Sequence, residues 1–142
     1  MVLGLPWYGY RYPCNASMGE KDRYCPLSLV PFRGAPCSDA AGTEINYSDI
    51  YAQLQAGNTT TGRQWDALLQ APWFNFRGSH NTVFQMWYDD PESLTIKLQG
   101  AKDAGLGGVG VWNFDAITYN ATDPATAKAM QAMWNAFDVF LK

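Results

Sequence analysis

The residues best placed to do chemistry close a short apolar run, Val109 to Phe114, which ends on Trp112, Asn113 and Asp115. In a parallel α/β barrel, an aromatic ring beside carboxamide and carboxylate groups at the C-terminal end of a strand is where sites are kept. Paired acids do proton-transfer work, and Asp89 and Asp90 are adjacent. Asp90, however, reads as the cap of a helix whose first residue is Pro91, and Asp89 as a solvated turn residue. Asp115 remains for a hydrogen bond near the mouth of a cleft. Nucleophilic dyads are excluded, because His80 is the only histidine and sits in a turn-like segment. No metal site or cofactor is expected: Cys14, Cys25 and Cys37 lack C-x-x-C spacing. Their clustering among Pro and Gly predicts a disulfide-stapled loop, with one thiol left free or paired elsewhere.

These groups need elements to hold them. Leu94, Leu98 and Ala101 recur at helical spacing after Pro91, and Gly105, Gly107 and Gly108 end the run. The spacing thus predicts a helix leading into the strand that carries Trp112. Residues 2 to 8 are nearly all apolar, the pattern of a parallel strand covered on both faces. Residues 11 to 45 look irregular, broken by Pro13, Pro26, Pro31 and Pro36. Tyr47 to Leu54 predicts a short helix with Ile50, Tyr51 and Leu54 on one face and Asn46 or Ser48 at its cap. Gly57 to Gly62 is a polar loop tip. Trp65 to Phe76 and Val83 to Tyr88 predict two antiparallel strands about a turn at Arg77 to Asn81. Asp123-Pro124 starts a last helix whose stripe is Met130, Met133, Trp134, Phe137, Phe140 and Leu141.

The chain is 47% hydrophobic and 16% charged, which fits an ordered globular piece and excludes a disordered tail. Net charge is −3 with Lys and Arg dispersed, so no nucleic-acid partner is expected. No apolar run approaches the roughly 20 residues of a membrane span. Six Trp stand among the 21 aromatics, and sugars stack their C–H faces on such rings, though most aromatics in any fold are core. Asn15, Asn46, Asn58 and Asn120 each begin an N-x-S/T triplet. With eight Asn and 15 Ser plus Thr in 142 residues, chance gives about one. Four predict the secretory route.

The succession Tyr88-Asp89-Asp90, Pro91-x-Ser93, Lys97, Gly105-Leu-Gly-Gly108 and Trp112-x-x-Asp115 resembles the end of glycoside hydrolase family 18. Val2 to Tyr10, ending Pro6-Trp7-Tyr8-Gly9, resembles the preceding strand of that family. Val30 to Gly42 resembles the insert of its di-N-acetylchitobiase branch. The fold implied is the C-terminal portion of a TIM (β/α)8 barrel, its last two strand–helix units, with an inserted small α+β lobe. Residues 1–8 would be strand seven, 9–82 the lobe, and 83–142 a helix, strand eight and the last helix of one partial catalytic domain. Eight units need roughly 250 residues, and the opening on a strand implies that earlier units lie upstream. The family's D-x-x-D-x-D-x-E, which ends in the catalytic acid, does not occur here. No catalytic residue is therefore expected in this chain.

The resemblance implies that Trp112 is the floor beneath the reacting sugar, the alternative being an ordinary barrel tryptophan. Tyr8 would border the substrate. Tyr10 stands where the family commonly has Arg, with Arg11 a possible substitute. Asn75 and Tyr88 are candidate cleft residues from the lobe. The activity implied is hydrolysis of N-acetylglucosamine β-1,4 linkages, in chitin oligosaccharides or the chitobiose core of N-glycans. The implied mechanism is retaining, with the substrate's own acetamide as nucleophile and the acid upstream. The partners implied are such an oligosaccharide and the missing N-terminal part of the barrel. The rival reading is a non-catalytic chitinase-like protein that binds saccharide or serves as an extracellular scaffold.

Overall fold

The computed structural model describes residues 1–15, 19–31 and 41–142. Cys37, and most of the segment from Val30 to Gly42, lie outside the described residues. Two sheets are present among the described residues. In the first, β1 (Val2–Pro6) pairs in parallel with β7 (Gly108–Trp112), Val2 opposite Gly108 and Pro6 opposite Trp112. In the second, five antiparallel strands run in the order β3-β2-β6-β5-β4, namely Thr43–Asn46, Tyr8–Pro13, Val83–Tyr88, Ala71–Arg77 and Gln64–Asp66. The parallel pair is the piece of barrel and the antiparallel sheet is the lobe.

Side chains alternate faces along a strand, so Leu3, Leu5, Val109 and Val111 share one face of the barrel pair. That face packs on α2 (Pro91–Asp103) and α3 (Pro124–Asn135), with Leu5, Leu94, Leu98 and Met133 all within 2% of full burial. The other face carries Val2, Gly4, Pro6, Gly108, Gly110 and Trp112. Val2 is 66% and Trp112 67% exposed, and nothing lies within 4 Å of where a Cβ on Gly4 or Gly110 would stand. A parallel strand normally has both faces covered; here one face is open.

Helix signals in the sequence are realised. Asp90 caps α2, its carboxylate accepting from the Glu92 and Ser93 amides while Ser93 Oγ accepts from the Asp90 amide. Asp123 caps α3 through the Thr126 amide. Helix α1 (Tyr47–Gln55) forms as expected with Asn46 in the cap position, although the Asn46 side chain makes no capping bond. Its Ile50 lies against Gly9, where any Cβ would meet the Trp87 carbonyl at 2.4 Å and Ile50 Cδ1 at 2.8 Å. Only glycine lets the helix approach the sheet that closely.

Four expectations are corrected. Trp65 to Phe76 is not one strand: the Asp66 carboxylate accepts from the Leu68 and Leu69 amides and folds residues 67–70 into a turn between β4 and β5. The expected irregular stretch begins later and ends earlier, because β2 continues to Pro13 and β3 occupies Thr43–Asn46. The lobe does not stop at residue 82, because Val83–Tyr88 runs between β2 and β5 in its sheet. The last helix ends at Asn135, with α4 (Asp138–Leu141) following after Ala136 and Phe137, and Leu141 is 73% exposed rather than part of the stripe.

Candidate functional site

Trp7 joins the two sheets. Its amide donates to the Trp112 carbonyl at 2.7 Å and its carbonyl accepts from the Tyr47 amide at 3.1 Å. Its indole is fully buried, edge-on to Trp134 at 4.6 Å and within 6.4 Å of Phe114 and Phe137. This aromatic packing fixes the ends of β1 and β7, and so fixes where Trp112 stands. The Trp112–Asn113 peptide is cis, and a single 3-10 turn, Phe114–Ala116, follows. Trp112 thus projects from the end of β7 on the open face, opposite Pro6. Asp115 is exposed in that turn.

One residue past Trp7 the chain enters the lobe at Tyr8. Alternation puts Tyr8, Tyr10 and Tyr12 on one face of β2, their ring centroids 5.8 and 6.1 Å apart in sequence order. Cross-strand register places Trp87, Gln85, Trp73 and Asn75 on the same face. Tyr8 directly follows Trp7, whose amide bonds the Trp112 carbonyl, so the backbones at Tyr8 and Trp112 stand close together.

Asn75 and Tyr88 are not joined to them. Asn75 shares the face of Tyr8 but is fully buried under residues 19–23, donating to the Glu20 and Asp22 carbonyls at 3.0 and 2.8 Å and accepting from Gln85. Every one of its polar atoms serves the lobe. Tyr88 pairs with Gly9 and so points to the opposite face, toward α1. It lies beside Tyr47, Arg63 and Asp90, and burial followed by the negative charge of Asp90 pushes its hydroxyl pKa up. That hydroxyl makes no well-formed hydrogen bond, although Arg63 stands near it.

Asp89 and Asp90 are both held by structural partners. Asp89 is buried rather than solvated: Lys97 Nζ donates to both its oxygens at 2.6 and 2.7 Å, and Ser93 Oγ donates at 2.7 Å. Asp90, besides capping α2, accepts from Arg63 Nε at 2.8 Å. No group of His, Cys, Asp and Glu among the described residues is arranged to hold a metal. A disulfide links Cys14 and Cys25. The asparagines of all four N-x-S/T triplets are exposed, and among the described residues no helix is long and apolar enough to cross a membrane.

Residues 1–116 match the glycosyl hydrolases family 18. The chain belongs to that family. It is 42% identical over 137 residues to a di-N-acetylchitobiase of Mus musculus, a match that takes in 96% of this chain and 36% of that protein. The chain thus spans about a third of the curated relatives it matches. A Group IV chitinase of Ostrinia furnacalis, solved in complex with allosamidin, superposes with a TM-score of 0.69 at 19% identity over 99% of this chain and 34% of that one. A human pseudo-chitinase described as retaining chitooligosaccharide binding superposes with a TM-score of 0.64 at 21% identity, over 96% and 35%. The structural likeness carries the fold: this family 18 chain is a partial TIM barrel, and its open strand face is that of a barrel interior.

The row of three tyrosines on β2 was missed in the sequence. Its signal was the period of two in Tyr8-Gly9-Tyr10-Arg11-Tyr12, concealed because the stretch from Arg11 onward reads as loop.

Proposed function

We propose that this chain forms the sugar-binding end of a chitobiase-like glycosidase, with Trp112 as the stacking floor and Tyr8 as its border. The identity of 42% to a di-N-acetylchitobiase over nearly the whole chain carries this reading. The substrate is an oligosaccharide with N-acetylglucosamine β-1,4 linkages, and the cleavage is retaining and substrate-assisted. The acid that protonates the leaving oxygen lies outside this chain, in the N-terminal remainder of the barrel, which also covers the open face of β1 and β7. A sugar that flattens toward an oxocarbenium-like state needs a flat apolar support, and an exposed indole at a strand end supplies one. Tyr10 in place of the family's Arg gives a ring contact where a guanidinium contact is usual. The exposed asparagines of the four N-x-S/T triplets and the Cys14–Cys25 bond support a secretory, lysosomal or extracellular setting.

A second reading, saccharide binding without cleavage, is favoured by the similarity to a pseudo-chitinase. The Trp112→Ala variant of the full-length protein tests the site. Chito-oligosaccharide affinity is expected to fall by about 1 to 3 kcal/mol, the scale of a lost stacking platform. Calorimetry with di- and hexasaccharides reads this, and thermal melts run alongside. A variant that melts far lower yet binds normally would make Trp112 a barrel-core residue, whose truncation costs about 3 to 5 kcal/mol of stability. Release of monosaccharide by the wild type separates enzyme from binder.

A further inference from the structure

The outermost ring of the β2 row, Tyr12, lines a cavity of about 260 Å³ on the same face of the lobe. Trp87 of β6 lines it from the sheet, Tyr24 and Leu27 from the loop that follows the disulfide-bonded strand end, and Leu69 from the β4–β5 turn. Tyr24 is 75% and Leu69 57% exposed, so apolar surface stands open to solvent at the rim of a concave site.

The walls are held in place. Trp87 Nε1 donates to Gln85 Oε1 at 2.7 Å, and Gln85 Nε2 donates to the Arg23 carbonyl and to Asn75 Oδ1, both at 3.0 Å. Trp87 also stacks on Trp73, with centroids 5.9 Å apart. The loop wall is tied down by the Cys14–Cys25 bond. The Arg23 guanidinium lies over the Tyr24 ring at 4.8 Å and is ion-paired with buried Asp66. Rings fixed by neighbours lose little side-chain entropy when a ligand arrives.

The cavity also defines its ligand. Arg23 is neutralised by Asp66, so no unpaired charge invites an anion. Flat aromatic walls suit the C–H face of a pyranose. The volume falls below the roughly 300 to 1,000 Å³ of sites that take whole drug-sized ligands, which is room for one ring. A strand rises about 3.3 Å per residue, so Tyr12 stands about 13 Å beyond Tyr8. A ligand that touches both Trp112 and this cavity must therefore be longer than a disaccharide.

We propose that the cavity bounded by Tyr12, Tyr24 and Trp87 is an outer subsite. It takes a single neutral sugar of an N-acetylglucosamine-containing oligosaccharide that runs from Trp112 along Tyr8 and Tyr10. This rests on the glycosidase reading of the Trp112 cleft and adds to it a preference for longer chains, set by the lobe. In the full-length protein, Tyr24→Ala and Leu69→Ala each remove an exposed wall without touching the core. Calorimetry with N-acetylglucosamine hexamer should show affinity lowered about tenfold, while affinity for the dimer stays within about twofold of wild type. An unchanged hexamer affinity, or equal losses for hexamer and dimer, overturns the subsite alone. A wild-type protein that binds neither oligosaccharide overturns the cleft reading and the subsite together.

Discussion

The barrel strands and the lobe are both built of apolar strands, yet one is finished and the other is not. In the lobe, β2, β5 and β6 bury Phe74, Phe76, Met86 and Tyr88 against α1. Its other face is closed over Asn75 and Gln85 by backbone carbonyls of residues 20–23. In the barrel pair, one face packs on α2 and α3 with Leu5 buried and Leu3, Val109 and Val111 partly buried, and the other shows Val2, two glycines with empty space above them, and Trp112. Burial on one side holds the strands in register. The unpaired edges and the open face ask for further parallel strands. An inserted lobe supplies its own core because its hairpins pair locally, whereas a barrel strand depends on neighbours distant in sequence.

The comparison predicts its largest effect for residues 1–142 produced alone. They should not persist as a stable monomer, and amides of β1 and β7 should exchange much faster than those of β5 and β6. Sedimentation and hydrogen exchange check this, and a soluble monomer that unfolds cooperatively would remove the distinction. Next in size, Phe74→Ala should cost about 3 to 5 kcal/mol by leaving a cavity in the lobe. In the full-length protein, Val2→Ala should cost less than Phe74→Ala, because it removes two methyl groups rather than a whole ring. Losses of equal size in urea unfolding would mean that the barrel face is packed as tightly as the lobe.

The smallest effect concerns the β4–β5 turn. The Leu69 amide first, with Arg23 and the Leu68 amide assisting against burial, holds the Asp66 carboxyl below the usual carboxylate range. A depressed folded-state pKa contributes stability above the unfolded value of about 3.9, and that stability is lost as pH falls through the folded value. Lobe stability should therefore drop below about pH 4. Asp66→Asn, which cannot ion-pair with Arg23, should be less stable at pH 7 and show a shallower acid loss. Parallel acid profiles for the two proteins would leave the turn with no electrostatic part in stability.

What could be read without the structure was local. Asp90-Pro91 and Asp123-Pro124 announced their helices because a cap and the following turn lie within four residues. Tyr47 to Leu54 showed its face by spacing alone, and the strands at Leu5 and Val109 showed themselves as short apolar runs. The aromatic that ends the second strand was visible in the same way. The break at Asp66 was visible in principle as an acid ahead of a turn, but Trp65 and Leu68-Leu69 made the stretch look continuous.

Residue types and spacing by themselves determined the capped starts of α2 and α3, the helix at Tyr47 and the two short apolar strands, and the likeness of the motifs determined the family. Tertiary structure alone decided which groups stand together. Asn75 is spent on carbonyls 53 and 55 residues away, and Asp89 is claimed by Lys97 and Ser93. Tyr88 lies across the sheet from Tyr8 because Gly9 is its partner. Cys14 pairs with Cys25 because a loop returns to the end of β2. The physical reason is that a strand's period of two fixes only that neighbours alternate. Which face meets a helix, a loop or a ligand is settled by cross-strand register, and register is a property of the folded chain.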